Sequence, residues 1–208
     1  MEHFKNKILD YEKKYEDLTY ISKIGKVPVI LTAVHTMMQL KENGKYKKSE
    51  PYTKAIAMYV AKVTDCFYLI KNKDTGVDSN SMENDTFKSM LLDNIKDNDI
   101  KLVIDLHGAK EDRDFDIELG TLNNLSCDYS TVNELIDSFH ENGVFDIKIN
   151  NPFKGGAITQ KVFSETNCDV IQIEINASFR KIDDYSKIEL VCNSLIKFID
   201  QYNRLVNK

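Results

Sequence analysis

The sequence predicts one α/β domain, with helices packed on the faces of a parallel or mixed sheet. Short β-branched or apolar runs at Val27 to Val34, Cys66 to Ile70, Leu102 to Leu106 and Val170 to Ile175 alternate with segments of helical periodicity. A length of 208 residues suits a single domain, residues 1–208, with a proper core. No internal repeat, low-complexity tract or linker divides the chain.

Composition narrows the function classes. Apolar residues make up 42% of the chain and charged residues 29%, the balance of a soluble globular protein. A net charge of -5 argues against nucleic acid as a partner, since phosphate binding needs a basic surface. No apolar run approaches the roughly 18 residues of a membrane span. The N-terminal MEHFKNKILDYEKKYEDL is charged throughout and lacks the apolar core of a signal peptide. Cys66, Cys127, Cys168 and Cys192 stand singly, which predicts reduced thiols and a cytoplasmic protein.

Taken in order, Phe4, Ile8, Tyr11, Tyr15 and Leu18 form one stripe of a helix over residues 3–18. Val27 to Val34 is a buried strand that ends in His35. Asn43-Gly44 marks a turn, and a basic stretch leads to Glu50-Pro51. Thr53 to Val63 is a helix, with Thr53 as its expected cap. Cys66 to Ile70 is a strand, followed by a polar loop, KNKDTGVDSNSMENDT, too long to be a mere connector. Phe87 to Ile95 is a helix that feeds the central stretch, KLVIDLHGAKEDRDFDIELGT, read as two strands joined by a polar loop. A helix over 131–140, a strand over 146–149, a glycine loop, a short helix over 157–164, the strand VIQIEI and a long amphipathic helix over 186–206 complete the chain.

The chemistry should lie where this pattern leaves polar residues at carboxyl ends of strands, the usual ligand position in open α/β sheets. His35 and His107 both close apolar runs, and His107 is followed by Gly108. Neutral imidazole is the commonest nitrogen ligand of a transition metal, so the pair suggests a metal site. Catalytic zinc takes three protein ligands, and Glu50 is the expected carboxylate, with Glu42 the runner-up. The plainer reading of each histidine is a hydrogen-bonded core imidazole. Alternation in VIQIEI puts Val170, Gln172 and Glu174 on one face. A carboxylate so deep in an apolar strand is costly unless paired or poised as a general base, unless the strand lies at a wet edge. Arg113 and Arg180 follow catalytic strands and offer guanidinium forks for an oxyanion or a substrate carboxylate. Asp78-Ser79-Asn80 lies in the long loop, where Asn80 is a candidate substrate contact.

In sequence order, TAVHT, SEPYTKAIA, VIDLHGAKEDRDFDIELGT, GGAITQ and IQIEIN resemble the N-formylglutamate amidohydrolase-like proteins, themselves similar in fold to zinc carboxypeptidases and aspartoacylases. The resemblance runs from about Val27 to Arg180. It implies a three-layer sandwich with a mixed, mainly parallel sheet of the phosphorylase/hydrolase-like, zinc carboxypeptidase-like kind. It also implies one Zn2+ per chain on His35, Glu50 and His107, with Glu174 as general acid/base. It implies as well an arginine for the substrate carboxylate, Arg113 or Arg180; Arg113 is taken here as the catalytic one, with Arg180 and Asn80 as substrate contacts. The implied substrate is an N-acyl amino acid or short peptide, cleaved at an amide bond. Family members carry Pro-His-Ser-Gly at the first ligand and an arginine after the second histidine, whereas this chain has Val34-His35-Thr36-Met37 and His107-Gly108. The rival readings are a metal-dependent hydrolase of another bond, such as an ester or acetyl group, and a binding domain of the same fold without turnover. No GxGxxG or GxxxxGK[ST] loop is present to support nucleotide chemistry.

Overall fold

A computed structural model describes residues 2–40, 44–81 and 85–206. Helix α1 (Glu2–Lys13) leads into strands β1 (Tyr20–Lys23) and β2 (Val27–Ala33), then a small ladder of β3 (Gln39–Leu40) with β4 (Tyr46–Lys47). Next come α2 (Thr53–Thr64), β5 (Cys66–Lys71), α3 (Thr86–Asp97), β6 (Leu102–Ala109) and β7 (Ile117–Gly120). The chain continues through α4 (Tyr129–Glu141), β8 (Ile147–Ile149), α5 (Ala157–Glu165), β9 (Asp169–Asn176) and α6 (Tyr185–Val206). The main sheet has seven strands in the order β1-β5-β2-β6-β9-β7-β8. Four neighbouring pairs are parallel, while β1 with β5 and β7 with β9 are antiparallel. This is the mixed, mainly parallel sandwich that the sequence predicts.

The central strands are buried on both faces, which explains their continuous apolar runs. One face packs Val29, Leu31, Ile104, Leu106, Ile171 and Ile173 against α1, α2, α4 and α6. The other packs Ile30, Val103 and Val170 against Phe87, Leu91 and Ile95 of α3 and Ile158 and Val162 of α5. Each such side chain removed from water stabilises the fold by about 1.5–3 kcal/mol. Pro28 sits inside β2 where the register to β5 shifts between Val27 and Ile30, so its missing N–H interrupts no regular ladder.

Two local expectations change. The helix expected over 3–18 ends at Lys13, and Tyr15 turns left-handed at φ 59. Thr53 is the first residue of α2 rather than its cap; its hydroxyl donates to the Glu50 carbonyl at 2.9 Å, and Tyr52 holds the cap position at φ 68. The two strands of the central stretch form as expected, joined by a polar loop, and β9 lies between them in the sheet. Periodicity fixes where a strand is, but not which strand lies beside it. The short β1, β3 and β4 were not foreseen, and Glu42 lies outside the described residues. All four cysteines, expected as core or surface thiols, are free and buried. Among the described residues no helix is long and apolar enough to cross a membrane.

Candidate metal centre and active site

The site grows out of a change of polarity along one sheet face. Ile30, Val103 and Val170 share a register row beneath α3 and α5. One step of the alternation further toward the carboxyl ends, the row reads Thr32, Asp105 and Gln172. The next reads His107, Glu174 and Glu118, the last contributed by β7 from the opposite direction. The same periodicity that hides apolar side chains below therefore stacks ionisable ones above.

His35, just beyond β2, brings its ring to this row, and the Glu50 N–H donates to the His35 carbonyl at 2.7 Å. That contact folds the intervening segment back so that Glu50 meets both imidazoles. Glu50 Oε1 lies 3.1 Å from His35 Nδ1, Glu50 Oε2 lies 3.4 Å from His107 Nδ1, and the two Nδ1 atoms are 3.0 Å apart. All three residues are buried. Tetrahedral zinc with bonds of about 2.0–2.1 Å has ligand-to-ligand edges of about 3.3 Å, and these contacts, made to the two rings by different Glu50 oxygens, bring the three residues close to that spacing.

The far side of each ring is also engaged. His35 Nε2 lies 2.8 Å from Asp78 Oδ1, and His107 Nε2 lies 2.9 Å from Asp105 Oδ2. The Thr32 hydroxyl donates to the other Asp105 oxygen at 2.6 Å. A carboxylate at each Nε2 assigns the N–H there and leaves both Nδ1 lone pairs facing inward beside the carboxylate of Glu50. In that tautomer three acceptors converge at hydrogen-bond distance, an arrangement that a proton on His107 or a bound cation would each satisfy. The donor set of two imidazoles and one carboxylate is the one carboxypeptidase A uses for zinc.

The electrostatics agree. Burial opposes charge on His107, but Asp105 and Glu50 outweigh it and raise its pKa well above the ordinary value. Burial likewise opposes charge on Glu50, yet hydrogen bonds and charge from His107 and His35 hold it well below the usual carboxylate range. The pocket is negative enough to hold a proton on a fully buried imidazole, so it favours a positive ion. Glu174 differs. Burial raises its pKa, the positive His107 offsets only part of this, and Gln172 donates to its Oε1 at 3.0 Å. Because β9 is an interior strand, Glu174 is no edge residue in water.

A sequence profile of N-formylglutamate amidohydrolase matches residues 86–179. Over those residues the chain is similar to the N-formylglutamate amidohydrolase family. No curated protein matches the chain. Among solved structures, N-formylglutamate amidohydrolase from Ralstonia eutropha JMP134 is 13% identical, with a TM-score of 0.69 over 89% of this chain and 98% of that one. A bacteriophage poly-gamma-glutamate hydrolase is 13% identical, with a TM-score of 0.61 over 90% and 91%. A candidate carboxypeptidase A from Shewanella denitrificans OS-217 is 9% identical, with a TM-score of 0.50 over 88% of this chain and 61% of that one. At such identities the likeness is one of fold, the amidohydrolase and carboxypeptidase architecture.

Within this N-formylglutamate amidohydrolase-like fold the remaining predicted residues separate. Arg113 is exposed on the loop after β6, with its guanidinium 5.2 Å from the centre of the Phe153 ring. Arg180 is buried, and its donors go to the carbonyls of Ile175, Pro51 and Ala109 at 3.0, 2.8 and 3.0 Å. Its guanidinium lies flat against Gly108, where a Cβ would come within 2.4 Å. The glycine after the second histidine is thus explained by arginine packing. Asn80 reaches the start of α5, where its Oδ1 accepts from Ile158 N–H at 3.4 Å and crowds Gly156.

Several contributors were not foreseen. Asp105 was legible in principle, because i and i+2 share a strand face and DLH places a carboxylate below the histidine. Lys47, at 3.1 Å from Glu50 Oε1, and Asn176, whose amide holds the carbonyls of Arg113 and Phe115 at 3.2 and 2.9 Å, carry no such signal. Glu118 accepts from Phe153 N–H at 2.6 Å with one oxygen, while its other oxygen is buried without a partner among the described residues. Burial raises its pKa.

Proposed function

We propose that this protein is a zinc-dependent amidohydrolase acting on an N-acyl amino acid or short acidic peptide. The observation that carries the reading is the convergence of His35, Glu50 and His107, each histidine braced by an aspartate, beside a buried Glu174 with a raised pKa. Bound there, a divalent ion would supply Lewis acidity, polarising the scissile carbonyl and acidifying a water. Glu174 takes the proton from the attacking water and returns it to the leaving amine, a role suited to a carboxylate with a raised pKa. Arg113, exposed on the loop after β6, would receive the substrate carboxylate or the developing oxyanion. Arg180 and Asn80 shape the mouth, through the backbone of β6 and the start of α5.

The surroundings favour an anionic substrate. A cavity of about 490 Å³ opens against Glu50 and Gly108 and is lined by Lys47, Lys48, Lys110, Arg180 and Lys181. Of the site residues it touches Glu50, and its positive charge, on a chain of net charge -5, would draw carboxylates to that side of the site. The architecture shared with N-formylglutamate amidohydrolase and poly-gamma-glutamate hydrolase supports the same substrate class. The test is a panel of N-formyl, N-acetyl and γ-linked derivatives of acidic and neutral amino acids, with matching esters. Zinc-loaded protein should cleave acidic amides, and Glu174→Gln should lower kcat by about 10²–10⁴ with zinc retained. Preferred ester cleavage would point to the other-bond alternative, and zinc uptake without turnover of any panel member to a binding domain.

A further inference from the structure

Two of the largest wholly buried side chains are lysines, Lys71 at 0% and Lys88 at 1% relative exposure. Lysine is almost never fully buried unless paired, and burial lowers the pKa of both ammonium groups. Neither belongs to the site described above. Lys71 ends β5 and Lys88 lies in the first turn of α3, so they flank the loop that connects those elements.

That loop is exposed at 73–76 but buried at 78–79. It dips inward where the lysines meet it. Lys71 Nζ donates to the Val77 carbonyl, and lies 3.3 Å from Ser79 Oγ and 3.5 Å from Gln39 Oε1. Lys88 Nζ donates to the Ser79 carbonyl. Val77 and Ser79 are the residues on either side of Asp78, whose carboxylate turns back to accept from Asn80 N–H at 3.0 Å and to meet His35 Nε2 at 2.8 Å. Asp85 closes the frame: one oxygen accepts from the Ser79 hydroxyl and the other caps α3 through Lys88 N–H at 2.9 Å. An apolar side chain of lysine's volume would fill the same space but leave buried carbonyls without these donors, at a cost of about 1–3 kcal/mol each.

We propose that Lys71 and Lys88 are positioning residues that clamp the backbone on both sides of Asp78, hold its carboxylate on His35, and so set metal affinity from outside the site. The proposal rests on reading His35 as a metal ligand. Partners beyond a ligand typically tune metal affinity by about 10–100-fold, and a clamp on such a partner acts through it.

The test is a double-mutant cycle. Zinc affinity is measured by chelator competition for the wild type, Lys88→Met, Lys71→Met, Asp78→Ala and the lysine variants combined with Asp78→Ala. Beside it, the imidazole Nε2–H signal of His35 is followed by NMR in the metal-free protein. Each lysine variant should weaken zinc binding about tenfold or more, disturb the His35 signal, and add nothing once Asp78 is gone. Wild-type affinity despite a lowered Tm, or losses that add to that of Asp78→Ala, would overturn the clamp and leave the lysines with a purely structural role. If the methionine variants do not fold, Lys88→Gln, polar but too short to reach the Ser79 carbonyl, is read by the same criteria. If the wild type takes up no zinc, the metal reading fails by itself. The His35 signal then decides the clamp: lost in Lys88→Met it stands, unchanged it falls.

Discussion

His35 and His107 present the same atom to the same centre, yet the chain supports them in opposite ways. His107 stands in an interior strand, and its partner Asp105 is two residues away on the same face, fully buried and held by Thr32 of the neighbouring strand. His35 stands just past the end of β2, and its partner Asp78 comes from a loop 43 residues away, held by two buried lysines. One histidine is fixed by the regular geometry of a sheet, and the other by a frame of side-chain contacts. The candidate metal site is thus braced by a strand on one side and by a loop on the other.

The largest expected difference is in stability. Asp105→Ala strips a buried imidazole and a buried hydroxyl of their shared partner, which should destabilise the metal-free protein by about 3–5 kcal/mol in urea titration. Asp78→Ala disturbs a loop, and about 1–2 kcal/mol is expected. Equal losses would erase the contrast between sheet and loop.

Metal affinity should level the ranking. Asp105→Asn and Asp78→Asn should each weaken zinc binding by about 10–100-fold in chelator competition, because each removes the charge from one histidine's partner. An effect at Asp105 alone would show that His35 contributes little to the site.

The pH dependence of the metal-free protein sharpens the same point. His107 has a folded pKa raised well above 6.5, so its contribution is complete below about that pH and is lost as pH rises through the raised value. Glu50 has a folded pKa held well below 4.5, so its contribution is present above that pH and is lost as pH falls through the lowered value. Tm of chelator-treated protein should therefore fall from pH 6 to pH 9, and zinc, which replaces the proton, should restore it at pH 9. A flat alkaline profile would contradict the paired state of His107.

The smallest effect belongs to Arg113. Its side chain is exposed and rests on Phe153, so Arg113→Ala should leave Tm unchanged and raise KM for acidic substrates severalfold more than for neutral ones.

The contrast also explains what could be read from the sequence. The fold class, the order of the major elements and the convergence of His35, Glu50 and His107 were legible, because burial imposes period and the site lies at strand ends. The burial of Glu174 followed from alternation in VIQIEI. Strand neighbours were not legible, since the insertion of β9 between β6 and β7 is decided by packing across the whole sheet. Nor was the partnership of Asp78 with His35, where loop residues carry no period. Arg180 matched the sequence pattern of a substrate fork, but three backbone carbonyls take its donors, a role no spacing reveals.

The most direct test of the central claim is calorimetric titration of zinc into chelator-treated wild-type, His35→Ala and His107→Ala proteins. One equivalent taken up by the wild type, with affinity lost by orders of magnitude in both variants, is the predicted result. Failure of the wild type to bind zinc, or binding that survives loss of either histidine, would contradict it.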